Sequence, residues 1–177
     1  ETRGTPYRVW IENPDTQFLQ RRDFFKAADG NLYKTTLDGT PNNKATWRYV
    51  GENPNLYNLC YIKQNNEEEA DYSDIIRFCR VLSQSDTWDD DYLEKVHSVI
   101  NPDDFLRWMA VSACVAHWDS PFTDHGHNYV LYSNPGTGQF HVIAWDLNGT
   151  FNYTSNQNDL NYRKLYTHIR STKFPAI

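Results

Sequence analysis

Residues 127–146 read HNYVLYSNPGTGQFHVIAWD. The runs HNYVLYS and QFHVIAW are rich in β-branched and aromatic residues, and the NPGTG between them favours a tight return, so the stretch predicts a β-hairpin. With the turn centred between Pro135 and Gly136, Asn128 precedes it and Asp146 follows it at distances that differ by about three residues, or ~10 Å of strand. Closing the hairpin therefore carries Asp146 back towards the loop that ends at Asn128.

That loop belongs to HWDSPFTDHGHNYVLY, residues 117–132, which holds three of the six histidines, two aspartates and an asparagine. Before it stands NPDDFLRWMAVSACVAHW, the clearest helix start in the chain. Asn101 suits the N-cap, Pro102 the first helical position, and Asp103 and Asp104 the positive end of the helix dipole. After Asp104 this helix is apolar nearly all round, which predicts a place at the centre of a helical subdomain. Its end delivers His117 and Asp119.

Further upstream, Ser73 is a candidate cap for a helix running through Leu82, with Ile75, Ile76, Cys79 and Leu82 on one side. A second helix takes in Tyr92, Leu93, Val96 and Ile100. The acidic QNNEEEAD, residues 64–71, reads as a solvated connection or helix start. Residues 5–13, TPYRVWIEN, alternate like a strand. QFLQRRDFFKAADGNLYK then reads as a short helix or turn, a stop at Asp29-Gly30 and a short strand ending at Lys34. TWRYV, residues 46–50, predicts another strand.

The whole chain of 177 residues suits one domain. Aromatic residues make up 15 % of it, with 6 Trp and 12 Tyr, a content that disordered chains lack. A net charge of -6 without a basic stripe argues against nucleic acid or an anionic membrane as partner. No apolar run is long enough to span a bilayer. Cys60, Cys79 and Cys114 lack the paired spacing of a zinc site and are expected to be core thiols. Asn148-Gly149-Thr150 and Asn152-Tyr153-Thr154 match the glycan acceptor pattern, which matters only in a secretory pathway.

A phosphate-transfer site needs a carboxylate near the attacking hydroxyl and oxygen ligands for a divalent cation. Asp119, Asn128 and Asp146 are candidates for those groups. Protein kinases order such residues as H-R-D-x-x-x-x-N, a hairpin, then a metal-binding aspartate. Here the order is His117-Trp118-Asp119, then Asn128 after a longer interval than in ordinary kinases, then Asp146. Two other readings remain open. Asp119, Asp124, His125 and His127 are a candidate nitrogen and oxygen metal site of a hydrolase. A noncatalytic module that recognises a protein or glycan through exposed aromatic residues is the third.

The stretches YRVWIENPDTQFL, DGNLYK, DDFLRWMAVSACVAHWDS and HNYVLYSNPGTGQFHVIAWDLNGTF resemble, in the same order, the recurring elements of the spore-coat-protein-H-like (CotH) family of atypical kinases. The resemblance covers most of residues 7–151, and its most specific block is residues 101–151. It implies an α+β, atypical protein-kinase-like fold over residues 1–177, with an N-terminal lobe expected to be incomplete in this stretch. Residues 1–50 would be the strand-rich part, 72–117 a helical subdomain, and 118–151 the catalytic loop and metal-binding hairpin.

It also implies ATP with Mg2+ (or Mn2+) as cofactors and transfer of phosphate to serine or threonine hydroxyls of a protein substrate. The setting would be extracellular, at a cell surface or in a spore coat. By this resemblance Asp119 is the catalytic aspartate, Asn128 and Asp146 hold metal, and Lys34 and Glu12 belong to the nucleotide site. His117 is expected to orient the loop. Where the family has a second aspartate in W-D-x-D, this chain has Asn148, an uncharged oxygen donor that would hold a second metal less strongly.

Overall fold

The structure is a computed structural model that describes residues 10–22, 29–36, 45–85, 88–115, 117, 121 and 126–150. The described residues form a mixed α and β architecture. In chain order these are α1 (Thr16–Gln20), β1 (Leu32–Thr35), β2 (Tyr61–Lys63), α2 (Ser73–Gln84), α3 (Tyr92–His97), α4 (Pro102–Cys114), β3 (Tyr129–Ser133) and β4 (Phe140–Ala144). Short 3-10 turns stand at Pro54–Leu56 and Leu147–Gly149.

The strands make one antiparallel sheet in the order β2-β1-β3-β4. β1 and β3 are neighbours although all three longer helices separate them in sequence, so the sheet closes only through a long-range pairing. Alternation along each strand gives the sheet two faces. One carries Tyr33, Tyr61, Tyr129, Leu131 and Phe140, packed with Ile75, Phe78 and Cys79 of α2, Val99, Ile100, and Phe105 of α4. The other carries Leu32, Val130 and Tyr132 beneath Leu19 and Phe18 of α1, with Ile143 and Trp145 alongside.

Local signals account for the helix starts. The Asn101 side chain accepts from the amides of Asp103 and Asp104 (3.1 and 3.3 Å), and Pro102 opens the helix. Such a cap contributes ~1 kcal/mol. α2 starts at Ser73, but Ser73 is not its cap. The cap position is Tyr72, without a side-chain cap bond, and the Asp71 carboxylate takes the Ser73 amide at 2.8 Å.

Four further expectations are corrected. Residues 45–50 are not a strand, because Trp47 has φ 60 and breaks any extended run. Side chains hold this segment instead. The Trp47 amide donates to the Tyr61 hydroxyl, Ser83 Oγ donates to the Trp47 carbonyl, and the Trp47 ring packs on Phe78, Phe105 and Tyr129. Residues 10–13 also lie outside any strand, and residues 5–9 fall outside the described residues, so among described residues up to 50 the only strand is β1.

α4 is not central. Phe105 and Ser112 are buried, while Leu106 and Val111 are exposed, since one stripe meets the sheet however many apolar residues encircle the helix. Cys114 is accordingly exposed, whereas Cys60 and Cys79 are buried free thiols as expected. β2 escaped the sequence pattern because it is three residues long. Its Lys63 is buried, with Nζ donating to the carbonyls of Asn66 and Glu69.

α4 touches β4 through His141, whose Nδ1 lies 3.3 Å from Asp104 Oδ2. Burial holds the imidazole below its ordinary range, and the opposing pull of Asp104 is the smaller effect. A folded-state value below the unfolded one means that acid protonates the unfolded chain first. Stability from this site is complete above the ordinary imidazole range and falls as pH drops through it. Urea midpoints are expected to decline from neutral to mildly acidic pH, and His141→Gln is expected to shallow that slope. An unchanged slope would remove His141 from the account.

Candidate functional site

The hairpin register decides what meets at its open end. Tyr129 pairs with Ala144 and Ser133 with Phe140, so the turn is centred between Gly136 and Thr137, one residue later than the sequence reading. Asn134 organises the return: its carbonyl accepts from Gly138 N (2.8 Å) and its side chain from Gly136 N (2.9 Å). Arg77 of α2 ties the loop down by donating to the Gly138 carbonyl at 3.1 Å. Extending the register, Asn128 faces Trp145, and Asp146 follows one residue later. The offset between Asn128 and Asp146 thus shrinks from three residues to one, about 3.4 Å of strand.

Both residues leave the sheet with left-handed backbone, Asn128 at φ 60 and Asp146 at φ 50, ψ 61. Asn and Asp are the side-chain-bearing residues that visit this region most readily, at a cost of ~1 kcal/mol each. Two such residues at adjacent strand ends splay the chain out of the ladder at one place. Such strain collects at functional sites. The β3 side is pinned next door, where Thr35 Oγ1 donates to the Tyr129 carbonyl at 2.6 Å and the Tyr129 hydroxyl donates to the Ala45 carbonyl.

Lys34 comes to the same end. It sits on β1 opposite Val130 of β3, on the sheet face that carries Trp145, and its Nζ lies 4.6 Å from the centroid of the Trp145 ring. A cation over an indole face at this distance is a favourable contact of about 1 kcal/mol. Lys34 is thereby held beside the residue that precedes Asp146. Trp145 was not singled out from the sequence. Its position one residue past β4, on the same side as Ile143, is the signal that would have found it.

The Asp146 carboxylate is exposed and does not cap the 3-10 turn that follows. Among the described residues no donor or cation engages it. Magnesium is held by one or two carboxylates plus amide or phosphate oxygens while keeping several waters. An open carboxylate with an amide one strand away fits that pattern. Among the described residues no three His, Cys, Asp or Glu side chains gather as a metal cluster.

Glu12 is engaged elsewhere. Its carboxylate pairs with Arg22 Nη2 at 2.7 Å and Arg21 Nη2 at 2.6 Å, and the Arg22 hydrogen bond holds it below the usual carboxylate range. Arg22 in turn lies over the Phe18 ring at 3.6 Å. Glu12 therefore secures the end of α1, and no hydrogen bond or ion pair joins it to Lys34 or Asp146 among the described residues.

His117 is buried just beyond α4, with its amide donating to the Ser112 carbonyl at 2.9 Å and its ring edge-on to Trp108. It anchors the point where the loop leaves the helix. Asp119, Asp124 and His125 lie outside the described residues. His127, at the loop's far end, is half-buried.

Inner spore coat protein H of Bacillus subtilis (strain 168) is 27 % identical to this chain over 143 residues, which are 80 % of this chain and 36 % of that protein. The chain thus spans little more than a third of its relative. Residues 9–174 match the family described as CotH kinase protein. With nearly the whole sequence inside that match, and with the hairpin and the preceding capped helix in their expected order, the chain belongs to the CotH kinase protein family.

Proposed function

We propose that this chain carries the metal-binding and catalytic part of an atypical, kinase-like fold that uses ATP and Mg2+ (or Mn2+) to phosphorylate serine or threonine hydroxyls of a protein substrate. The single observation that supports it most is the convergence at the hairpin's open end: Asn128 and Asp146 in left-handed backbone on adjacent strands, with Lys34 over the intervening Trp145. Bound Mg2+ supplies neutralisation of the charge that develops on the phosphates being transferred.

The chain's own groups divide the remaining work. Asp146 contributes the charged oxygen for the cation and Asn128 a neutral one. Lys34, kept extended by the Trp145 ring, offers its ammonium to a phosphate oxygen. Asp119 is the base that takes the hydroxyl proton, or orients that hydroxyl, and His117 anchors the start of its loop. Glu12, which two arginines hold at α1, is the acidic candidate for the nucleotide site and would reach a nucleotide by exchanging those partners.

The name of the Bacillus relative supports association with a spore coat, and on this reading the protein substrate is a component of such an assembly. No helix among the described residues is long and apolar enough to cross a membrane.

The test is ATP titration into the 177-residue chain with and without Mg2+, followed by phosphate transfer to coat-protein serine peptides. Asp119→Asn is expected to lower transfer by roughly a hundredfold or more while leaving nucleotide affinity in place. Full transfer in that variant would remove Asp119 from the mechanism. Absence of Mg2+-dependent ATP binding by folded protein would instead favour a noncatalytic kinase-like module.

A further inference from the structure

Asn148 is followed by Gly149, and this is the one Asn-Gly pair in the sequence. Asn148 is exposed, within a single 3-10 turn, Leu147–Gly149, that begins directly after Asp146. The turn is held from its far side by Thr150, whose amide and hydroxyl both donate to the Leu147 carbonyl (3.0 and 2.7 Å). Other asparagines of the described residues precede proline, as at Asn53, Asn101 and Asn134, or another residue that carries a side chain, as at Asn31, Asn65 and Asn128.

We propose that Asn148 is a site of spontaneous deamidation, which adds a carboxylate beside that of Asp146 at the hairpin end. The Gly149 main-chain nitrogen attacks Cγ of Asn148 and gives up its proton to solvent base. The bond from Cγ to the amide nitrogen breaks, and ammonia leaves. The resulting five-membered imide takes up water. Opening at the Cγ carbonyl yields an aspartyl residue, and opening at the main-chain carbonyl yields an isoaspartyl one with an extra methylene in the backbone. No electrons are exchanged, and each product carries one added negative charge.

Glycine is what makes the pair reactive, because without a Cβ its nitrogen approaches Cγ unhindered and its backbone rotates freely as the ring closes. A proline has no amide proton to give, so Asn53, Asn101 and Asn134 are internal controls. A three-residue turn at an exposed position opens readily, unlike the interior of α4. The modification stands on the dipeptide and its setting. Its consequence rests on the reading of Asp146 as a metal ligand: a second carboxylate two residues on raises the negative charge offered to the cation.

The experiment incubates the intact 177-residue chain in mildly alkaline buffer at physiological temperature and maps its peptides by mass spectrometry. Paired aspartyl and isoaspartyl products are expected at position 148, forming faster as hydroxide rises, with Asn101 and Asn134 unchanged. Gly149→Ala is expected to slow the reaction about five-fold. An intact amide at Asn148, an equal rate in Gly149→Ala, or a glycan on Asn148 in protein from its natural host would overturn the proposal. Titration of Mg2+ and ATP into Asn148→Asp separates the two ideas: several-fold tighter binding is expected. Deamidation without that gain overturns the metal reading and leaves the modification standing.

Discussion

Asp146→Ala is expected to lower Mg2+-dependent ATP affinity at least about 100-fold, since loss of groups that merely orient a metal ligand already costs 10–100-fold. The carboxylate is exposed, without a partner among the described residues, and emerges from the hairpin directly after the tryptophan that Lys34 covers. Alanine also disfavours the left-handed backbone at φ 50, so part of any loss would come from strain. Asp146→Asn separates the terms, because asparagine tolerates that backbone while surrendering the charge. Calorimetry on both variants, with melting curves as the control for folding, is the measurement. Equal loss in both at unchanged stability would make the charge responsible. Unchanged Mg2+-dependent binding in both would exclude Asp146 as a metal ligand.

The second large effect is on stability. Gly30→Ala is expected to destabilise the fold by about 3 kcal/mol. A Cβ at position 30 would lie 1.9 Å from the Ser133 carbonyl oxygen, 2.7 Å from Pro135 Cδ and 2.9 Å from Tyr132 Cε2. The carbonyl cannot retreat, because β3 at that point is bonded to β4 and the Ser133 amide donates to the Asn31 carbonyl. On the other side the Gly30 carbonyl accepts from Asn65 Nδ2 at 2.8 Å. The clash would part β1 from β3 where the sheet joins its two halves, and the melting temperature should fall by roughly 6–12 °C. Gly136→Ala is the contrast. Among the described residues its Cβ would meet only the Asn134 side-chain oxygen, at 3.3 Å, and a change within about 1 kcal/mol is expected. Equal stability of Gly30→Ala and the parent would contradict the β1–β3 packing described above.

The Gly30 contacts belong to a wider network that no local pattern announces. Tyr33 donates to Asp74 Oδ1 at 2.6 Å and Asn31 Nδ2 donates to Asp74 Oδ2 at 3.0 Å, so the start of β1 grips the first turn of α2 across forty residues of chain. Burial, then the nearby Asp74 carboxylate, pushes the Tyr33 hydroxyl well above the ordinary phenol range, which keeps it a donor. DGNLYK looked from sequence like a stop and a strand that presents Lys34. It is also the hub that sets β1, and hence Lys34, against the hairpin.

What the sequence determined by itself was local and short in range. The Asn101 cap with Pro102, the helix from Ser73 onward, and the two strands around NPGTG follow from residue preferences that act over a few positions, although the α2 cap position falls at Tyr72, one residue before Ser73. The order of Asp119, Asn128 and Asp146 was legible for the same reason, as was the family resemblance that gave those positions meaning. Tertiary structure decided the rest. Trp47 abandoned an extended run because its ring found Phe78, Phe105 and Tyr129, a gain in packing that outweighs strand preference. α4 turned out half-exposed because burial depends on what lies opposite a helix face. The turn moved by one residue because Asn134 bonded to Gly136 and Gly138, which brought Asn128 and Asp146 into closer register. Lys34 met Trp145 only when β1 and β3 paired across most of the chain, a contact set by long-range closure and so invisible to any local window.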